Sequence, residues 1–135
     1  MKVFVDTSAW FSLYDPGELR HPQARRFFQK LAESHVELFT SDYVLDESIT
    51  LIRSRINHAS AVEFGNAILN SKVTRILDVD HKTRHQAWEY FIRYSDWPLS
   101  FTDCTSFALM KQRHVRHAFA FDDHFRQFGF VVVPG

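Results

Sequence analysis

Hydrophobic positions along the chain fall into two alternating periods. Short β-branched and aromatic runs occupy Lys2–Val5, Val36–Thr40, Val73–Val79, His117–Phe121 and Phe130–Val133. Each reads as a buried or half-buried strand. The longer segments between them carry apolar residues at helical spacing. Phe27, Phe28, Leu31 and Ala32 follow His21-Pro22, where proline suits a first turn. Leu45, Ile49, Ile52 and Ile56 follow the capping pair Ser41-Asp42. Ala61, Phe64, Ile68 and Leu69 predict another helix, and Ala87, Trp88, Phe91 and Ile92 the next. Phe107, Ala108 and Met110 belong to a helix opened by Ser100-Phe101-Thr102-Asp103. The alternation predicts an α/β fold with a central, mostly parallel five-stranded sheet flanked by helices on both faces. Tyr14-Asp15-Pro16-Gly17 and Trp97-Pro98 mark turns, but no repeat or linker interrupts the pattern. Residues 1–135 are therefore read as one domain.

Composition narrows the class. The chain is 45% hydrophobic and 16% aromatic, with 14 Phe, so disorder is excluded as its default state. At 135 residues a fold buries roughly two-thirds of the unfolded surface, enough for an unstapled core. The single cysteine, Cys104, permits no intrachain disulfide and no cysteine zinc site, so a reducing compartment is expected. It reads as a small buried thiol. The apolar run before Asp6 is too short for a signal peptide, and no window approaches the ~18 apolar residues of a membrane span. A cytoplasmic chain without membrane contact is expected. Lys plus Arg and Asp plus Glu are both 16, so net charge is zero and bulk basicity gives no argument for nucleic-acid binding. That case must rest on a local site.

In a parallel α/β sheet, ligands bind outside the carboxyl ends of the strands. Asp6 directly follows the first strand and Asp122 the fourth. Asp103 opens the helix before that fourth strand. Glu47 lies in the first turns of the helix after the second. Four carboxylates from distant parts of the chain thus point at one rim. Gathered together they repel, which raises their pKa values or calls for a cation. Oxygen-rich acidic clusters suit Mg²⁺ or Mn²⁺, ions that activate water for phosphoryl displacement.

The same residues carry a family resemblance. Val3-Phe4-Val5-Asp6-Thr7-Ser8-Ala9-Trp10 resembles the opening of a PIN domain. Asp46-Glu47, Ser100-Phe101-Thr102-Asp103-Cys104 and Ala118-Phe119-Ala120-Phe121-Asp122-Asp123-His124-Phe125 resemble its later acidic motifs. Ala120 departs from the Thr or Ser common there. At this length the chain is most similar to VapC-type toxins of toxin–antitoxin pairs. That resemblance implies a Mg²⁺- or Mn²⁺-dependent endoribonuclease, a homodimer and a cognate antitoxin. By it, Asp6, Glu47 and Asp103 hold the metal directly or through water, and Asp122 completes the cluster. Asp123 competes for that last role. Asp122 is preferred because it lies two residues after a small residue and three before Phe125, and because neighbouring strand residues face opposite ways. Thr7, Ser8 and Thr102 are expected to supply hydroxyls that orient carboxylates or contact phosphate.

Plainer readings stand beside these. Asp6 and Asp103 also suit helix N-termini, as cap and as dipole partner. His81 and His85 have i, i+4 spacing but no third ligand, and read as solvated. His124, two residues past Asp122, reads first as a surface histidine, with RNA contact or proton donation as the alternative. The basic run Lys111–His117 lies about 12–18 Å along its helix from Asp103, so Lys82, Arg84 and Arg126 are the expected phosphate contacts at the active rim. A catalytically silent PIN fold that binds RNA or protein is the alternative function. A haloacid-dehalogenase-type phosphatase wants an Asp where Ser8 stands, and a receiver-like domain wants an acidic pair before its first helix; neither is present.

Overall fold

The computed structural model describes residues 1–135. Its strands are β1 (Lys2–Val5), β2 (Glu37–Ser41), β3 (Thr74–Leu77), β4 (His117–Phe119) and β5 (Val131–Val133). They form one sheet in the order β3-β2-β1-β4-β5, and every pairing is parallel. The fourth strand is shorter than its hydrophobic run. Ala120 N–H still bonds Val133 O at 3.3 Å, but Phe121 N–H turns away to Ser8 Oγ at 3.0 Å.

Seven helices connect the strands: α1 (Thr7–Tyr14), α2 (His21–Glu33), α3 (Asp42–Arg55), α4 (His58–Leu69), α5 (His81–Arg93), α6 (Phe101–Gln112) and α7 (His124–Gln127). Side-chain caps fix where most of them begin. Ser41 Oγ accepts from Val44 N–H, Asn57 Oδ1 from Ser60 N–H and Asp80 Oδ1 from Thr83 N–H. Each such cap contributes roughly 1 kcal/mol.

The strand order reverses at β1. From β1 the chain steps outward to β2 and β3, then crosses back to β4 and β5 on the other side. Right-handed crossovers therefore put α1–α4 on one face and α5–α7 on the other. Side-chain contacts agree. Val5 and Phe119 are register partners, and the Phe119 ring meets Phe27 of α2 at 5.0 Å. Phe4 and Ala118 face the opposite way, where Phe4 lies 6.5 Å from Phe125 of α7. The reversal opens a crevice between the carboxyl ends of β1 and β4, the usual ligand position in such sheets.

Helices α5 and α6 pack as an antiparallel pair. Thr83 Oγ1 donates to Gln112 Oε1 at 3.1 Å at one end, and the Phe91 and Phe101 rings lie 6.3 Å apart at the other. No helix is long and apolar enough to cross a membrane.

Phe64 is wholly buried between Trp10 at 5.6 Å and Tyr14 at 5.2 Å, and so joins α4 to α1. Phe64→Ala should lower stability by about 3–5 kcal/mol. Urea unfolding should show this as a lower midpoint with an unchanged slope.

Candidate active site

β1 and its two neighbours are buried, so the chain leaving β1 carries Asp6 to the bottom of the crevice. Asp6 is 4% exposed. It caps α1, with Oδ2 accepting from Ser8 N–H at 3.2 Å and Ser8 Oγ–H at 2.8 Å. The cap reading of Asp6 is realised, and the same side chain lines the crevice. Ser8 also holds a second segment: its Oγ accepts from Phe121 N–H, which ties the chain after β4 to the start of α1.

Asp103 reaches the same crevice from α6. Ser100 Oγ accepts from Asp103 N–H at 3.0 Å, and Asp103 Oδ2 accepts from Ser100 N–H at 3.1 Å. This reciprocal capping box turns the acid inward. Asp103 is 8% exposed. Glu47 arrives from the second turn of α3 and is half-buried. The helix is set there by Ser48 Oγ, which bonds Thr7 Oγ1 at 3.2 Å. Asp122 is half-buried in the turn before α7, and its Oδ1 accepts from His124 N–H at 3.1 Å.

Asp6, Glu47, Asp103 and Asp122 line one cavity of about 300 Å³, together with Thr7, Ser8, Ser100 and His124. Asp123 points out to solvent and pairs with Arg126 at 2.6 Å. The split between the two acids comes from the turn, because β4 has already ended at Phe119.

Electrostatics records the crowding. Burial pushes the Asp6 carboxyl up to about 8, and the charges of Asp122 and Asp103 push the same way. Asp103 is also raised, mainly by burial, against hydrogen bonding from Ser100 and the nearby His124. Burial raises the Cys104 thiol to about 11, so it is no nucleophile.

The donor set fits a hard divalent cation, since it is all carboxylate oxygen. Asp6 and Asp103 each bind protein donors through Oδ2 alone, which leaves Oδ1 uncommitted. As placed, however, no three His, Cys, Asp or Glu side chains converge closely enough to hold one ion. The acids share one cavity without closing on a point.

Several expected residues lie elsewhere. Thr102 is outside the cavity lining, and its carbonyl serves Thr105 Oγ1. Lys82 and Arg84 sit at the start of α5. The antiparallel pairing places that start beside Gln112, at the end of α6 remote from Asp103. Arg84 is spent on Val79 O at 3.1 Å, and Arg126 on Asp123. His124 departs from the surface reading. It lines the cavity, with Nδ1 2.9 Å from Asp103 Oδ2 and 4.0 Å from Asp122 Oδ1. The sequence signal for it is the two-residue spacing from Asp122. Sequence reasoning misses Arg20 altogether. Its guanidinium carbon lies 5.4 Å from the centre of the Phe121 ring, next to Asp122. Only the fold brings a residue before α2 to the end of β4.

A PIN-domain family model matches residues 3–131 of the chain. The chain is 40% identical over 131 residues to the 23S rRNA-specific endonuclease VapC20 of Mycobacterium tuberculosis, covering 97% of each. The crystal structure of M. tuberculosis VapC20, described as a sarcin-ricin loop cleaving toxin, superposes with a TM-score of 0.89 at 38% identity, covering 96% of each chain. VapBC2 from Rickettsia felis, bound to a promoter DNA fragment, gives 0.73 at 11% identity over 98% of this chain and 97% of that one. FitAcB from Neisseria gonorrhoeae gives 0.68 at 15% over 96% and 95%. These last two establish the fold alone.

The Asp6 shift fixes the sign of a pH effect. The unfolded carboxyl titrates near its ordinary 3.8 and the folded one near 8. Between those values the native state holds a proton that the unfolded state has lost, so stability falls as pH rises. Asp6→Asn cannot ionise and should lose this slope. In chelator, its melting temperature should exceed that of wild type at pH 8, by about 4 °C per kcal/mol, with the gap closing toward pH 4. An equal gap at both pH values would contradict the assignment.

Proposed function

The chain belongs to the PIN-domain family, and on that premise we propose that it is a metal-dependent endoribonuclease, the toxin of a toxin–antitoxin pair. One observation carries the reading: four carboxylates from α1's cap, α3, α6 and the turn before α7 line a single cavity where the sheet order reverses. Forty per cent identity along nearly the whole chain to a 23S rRNA-specific endonuclease supports ribosomal RNA as the substrate class. Residues 1–135 act as one catalytic domain in this reading, working in the cytoplasm where that substrate resides.

Asp6, Glu47 and Asp103 hold the ion, and Asp122 orients the attacking water or shares in a second ion. Mg²⁺ or Mn²⁺, when bound, supplies positive charge and a water of lowered pKa at the scissile phosphate. The protein's part is placement. Ser8 keeps Asp6 Oδ2 engaged so that Oδ1 faces the cavity. Ser100 does the same for Asp103. Arg20, exposed over Phe121, contacts an RNA phosphate beside the acids.

Two protein partners complete the proposal. A cognate antitoxin is supported by the likeness to VapC20, whose 38%-identical structure is described as that of a toxin. A second copy of the chain is supported by α5, whose Trp88, Phe91 and Ile92 stay 51%, 41% and 60% exposed beside Phe101. Such a contiguous apolar face on a water-soluble fold favours burial against a partner. Sedimentation equilibrium should give a dimer for wild type and a monomer for Ile92→Glu.

The direct test incubates antitoxin-free protein with total RNA in Mg²⁺, in Mn²⁺ and in EDTA, and maps new 5′ ends by primer extension. Discrete cuts in 23S rRNA should appear with metal and vanish in EDTA. Asp6→Asn and Asp122→Asn should each lower the rate at least about a hundredfold. Metal-bound, folded wild type that binds RNA without cutting it would favour the silent binding module.

A further inference from the structure

Asp103 can present either of two oxygens to the cavity, and the fold restricts which one. Oδ2 accepts from Ser100 N–H at 3.1 Å and faces His124 Nδ1 at 2.9 Å. A carboxylate only accepts, so an ionised Asp103 requires the proton on Nδ1. The next carboxylate oxygen, Asp122 Oδ1, is 4.0 Å from Nδ1, beyond hydrogen-bond reach. His124 is thus committed to one partner.

Its position is built, not incidental. His124 opens α7, and Asp122 Oδ1 receives its backbone N–H. The following residue, Phe125, is wholly buried, 5.1 Å from Phe107 of α6 and 6.5 Å from Phe4 of β1. Asp103 and Phe107 are four residues apart and share one face of α6. Two adjacent contacts, Phe107 to Phe125 and Asp103 to His124, therefore fasten α6 to α7 side by side. The aromatic contact fixes the helix, and the polar one fixes the carboxylate.

We propose that His124 is a positioning residue: its Nδ1–H, together with Ser100 N–H, pins Oδ2 of Asp103 so that Oδ1 is the oxygen offered to a divalent cation. The inference rests on the metal-nuclease reading of the site but assigns His124 no part in bond making or proton transfer. Ring nitrogens that hold a ligating carboxylate from behind commonly set metal affinity by about 10–100-fold.

Three substitutions separate the roles. His124→Asn keeps a nitrogen donor one bond from Cγ, as Nδ1 is. His124→Gln carries its donor one bond further out, nearer the place of Nε2. His124→Leu keeps bulk and removes the donor. Mn²⁺ binding to the full-length, metal-free protein, without RNA, is followed by the electron paramagnetic resonance of free Mn²⁺, and melting in EDTA checks folding. Wild type and Asn should bind Mn²⁺ alike, while Gln and Leu should bind about 10–100-fold more weakly. RNA cleavage by the Leu variant should recover toward the wild-type maximum as Mn²⁺ is raised. Equal Mn²⁺ affinity in wild type and Leu would overturn the proposal and leave the nuclease reading standing. So would restoration by Gln and not Asn, which places the work at Nε2, or a Leu rate that saturating Mn²⁺ does not restore, which gives His124 a part beyond metal affinity. Failure of wild type itself to bind Mn²⁺ would overturn both together.

Discussion

An ionisable group at the end of the central strand sets the terms for the rest of the molecule. Asp6 follows β1, which is flanked by β2 and β4 and covered by helices on both faces, so its carboxyl is taken almost entirely out of water. Burying that charge is unfavourable, and Asp122 and Asp103 make it worse. The surrounding structure responds locally. Ser8 gives Asp6 two hydrogen bonds, and the N-terminus of α1 adds its dipole. What remains uncompensated is relieved by a proton or by a cation. The fold thus holds one proton-binding position at the place where the reversal of strand order leaves a crevice.

The acids are held by devices that also start helices. Asp6 is the cap of α1, and Asp103 is half of the capping box of α6. One oxygen of each serves the helix and the other is left to the cavity. Because the capping bonds lie in the first turn, they fix side-chain direction as firmly as they fix the helix end. Ser8 extends this by bonding Phe121 N–H, so the β1 and β4 ends of the crevice share a single hydroxyl. That hydroxyl is present although Ala120 lacks one. In this chain the polar support at the fourth motif comes from α1.

These dependencies explain what was legible in the sequence. Strands and helices were, because hydrophobic period is local and the caps stand next to the runs they open. The position of Asp6 was, because an acid directly after a strand must emerge at the carboxyl edge; Asp122, three residues past the end of β4, reaches that edge through the turn. Lys82 and Arg84 were misplaced for a tertiary reason. α5 does begin at the carboxyl edge, where Val79 N–H bonds Asp42 Oδ1, but it does so at β3, the edge strand two places from β1, and Thr83 and Gln112 fasten it beside the end of α6 remote from Asp103. The partner of His124, and Arg20 itself, were hidden for a related reason. The contacts are with Asp103 and Phe121, which are 21 and 101 positions away in sequence, and a single sequence carries no sign of either contact.

Zero net charge gives the site its last constraint. RNA approaches a neutral molecule with little long-range attraction, and then meets four carboxylates at the cavity. Without a cation, the phosphate that must enter is repelled by the groups that would act on it. On the metal-nuclease reading, a bound ion would reverse that sign within the few ångströms where it matters, and so would govern admission of the phosphate. The basic run at the end of α6 offers no help, since Lys111 lies over Phe128, away from the crevice. Arg20 lies over the ring of Phe121, the residue before Asp122 in sequence. In a chain of this charge, recognition of a polyanion depends on short-range contacts and on shape rather than on long-range attraction.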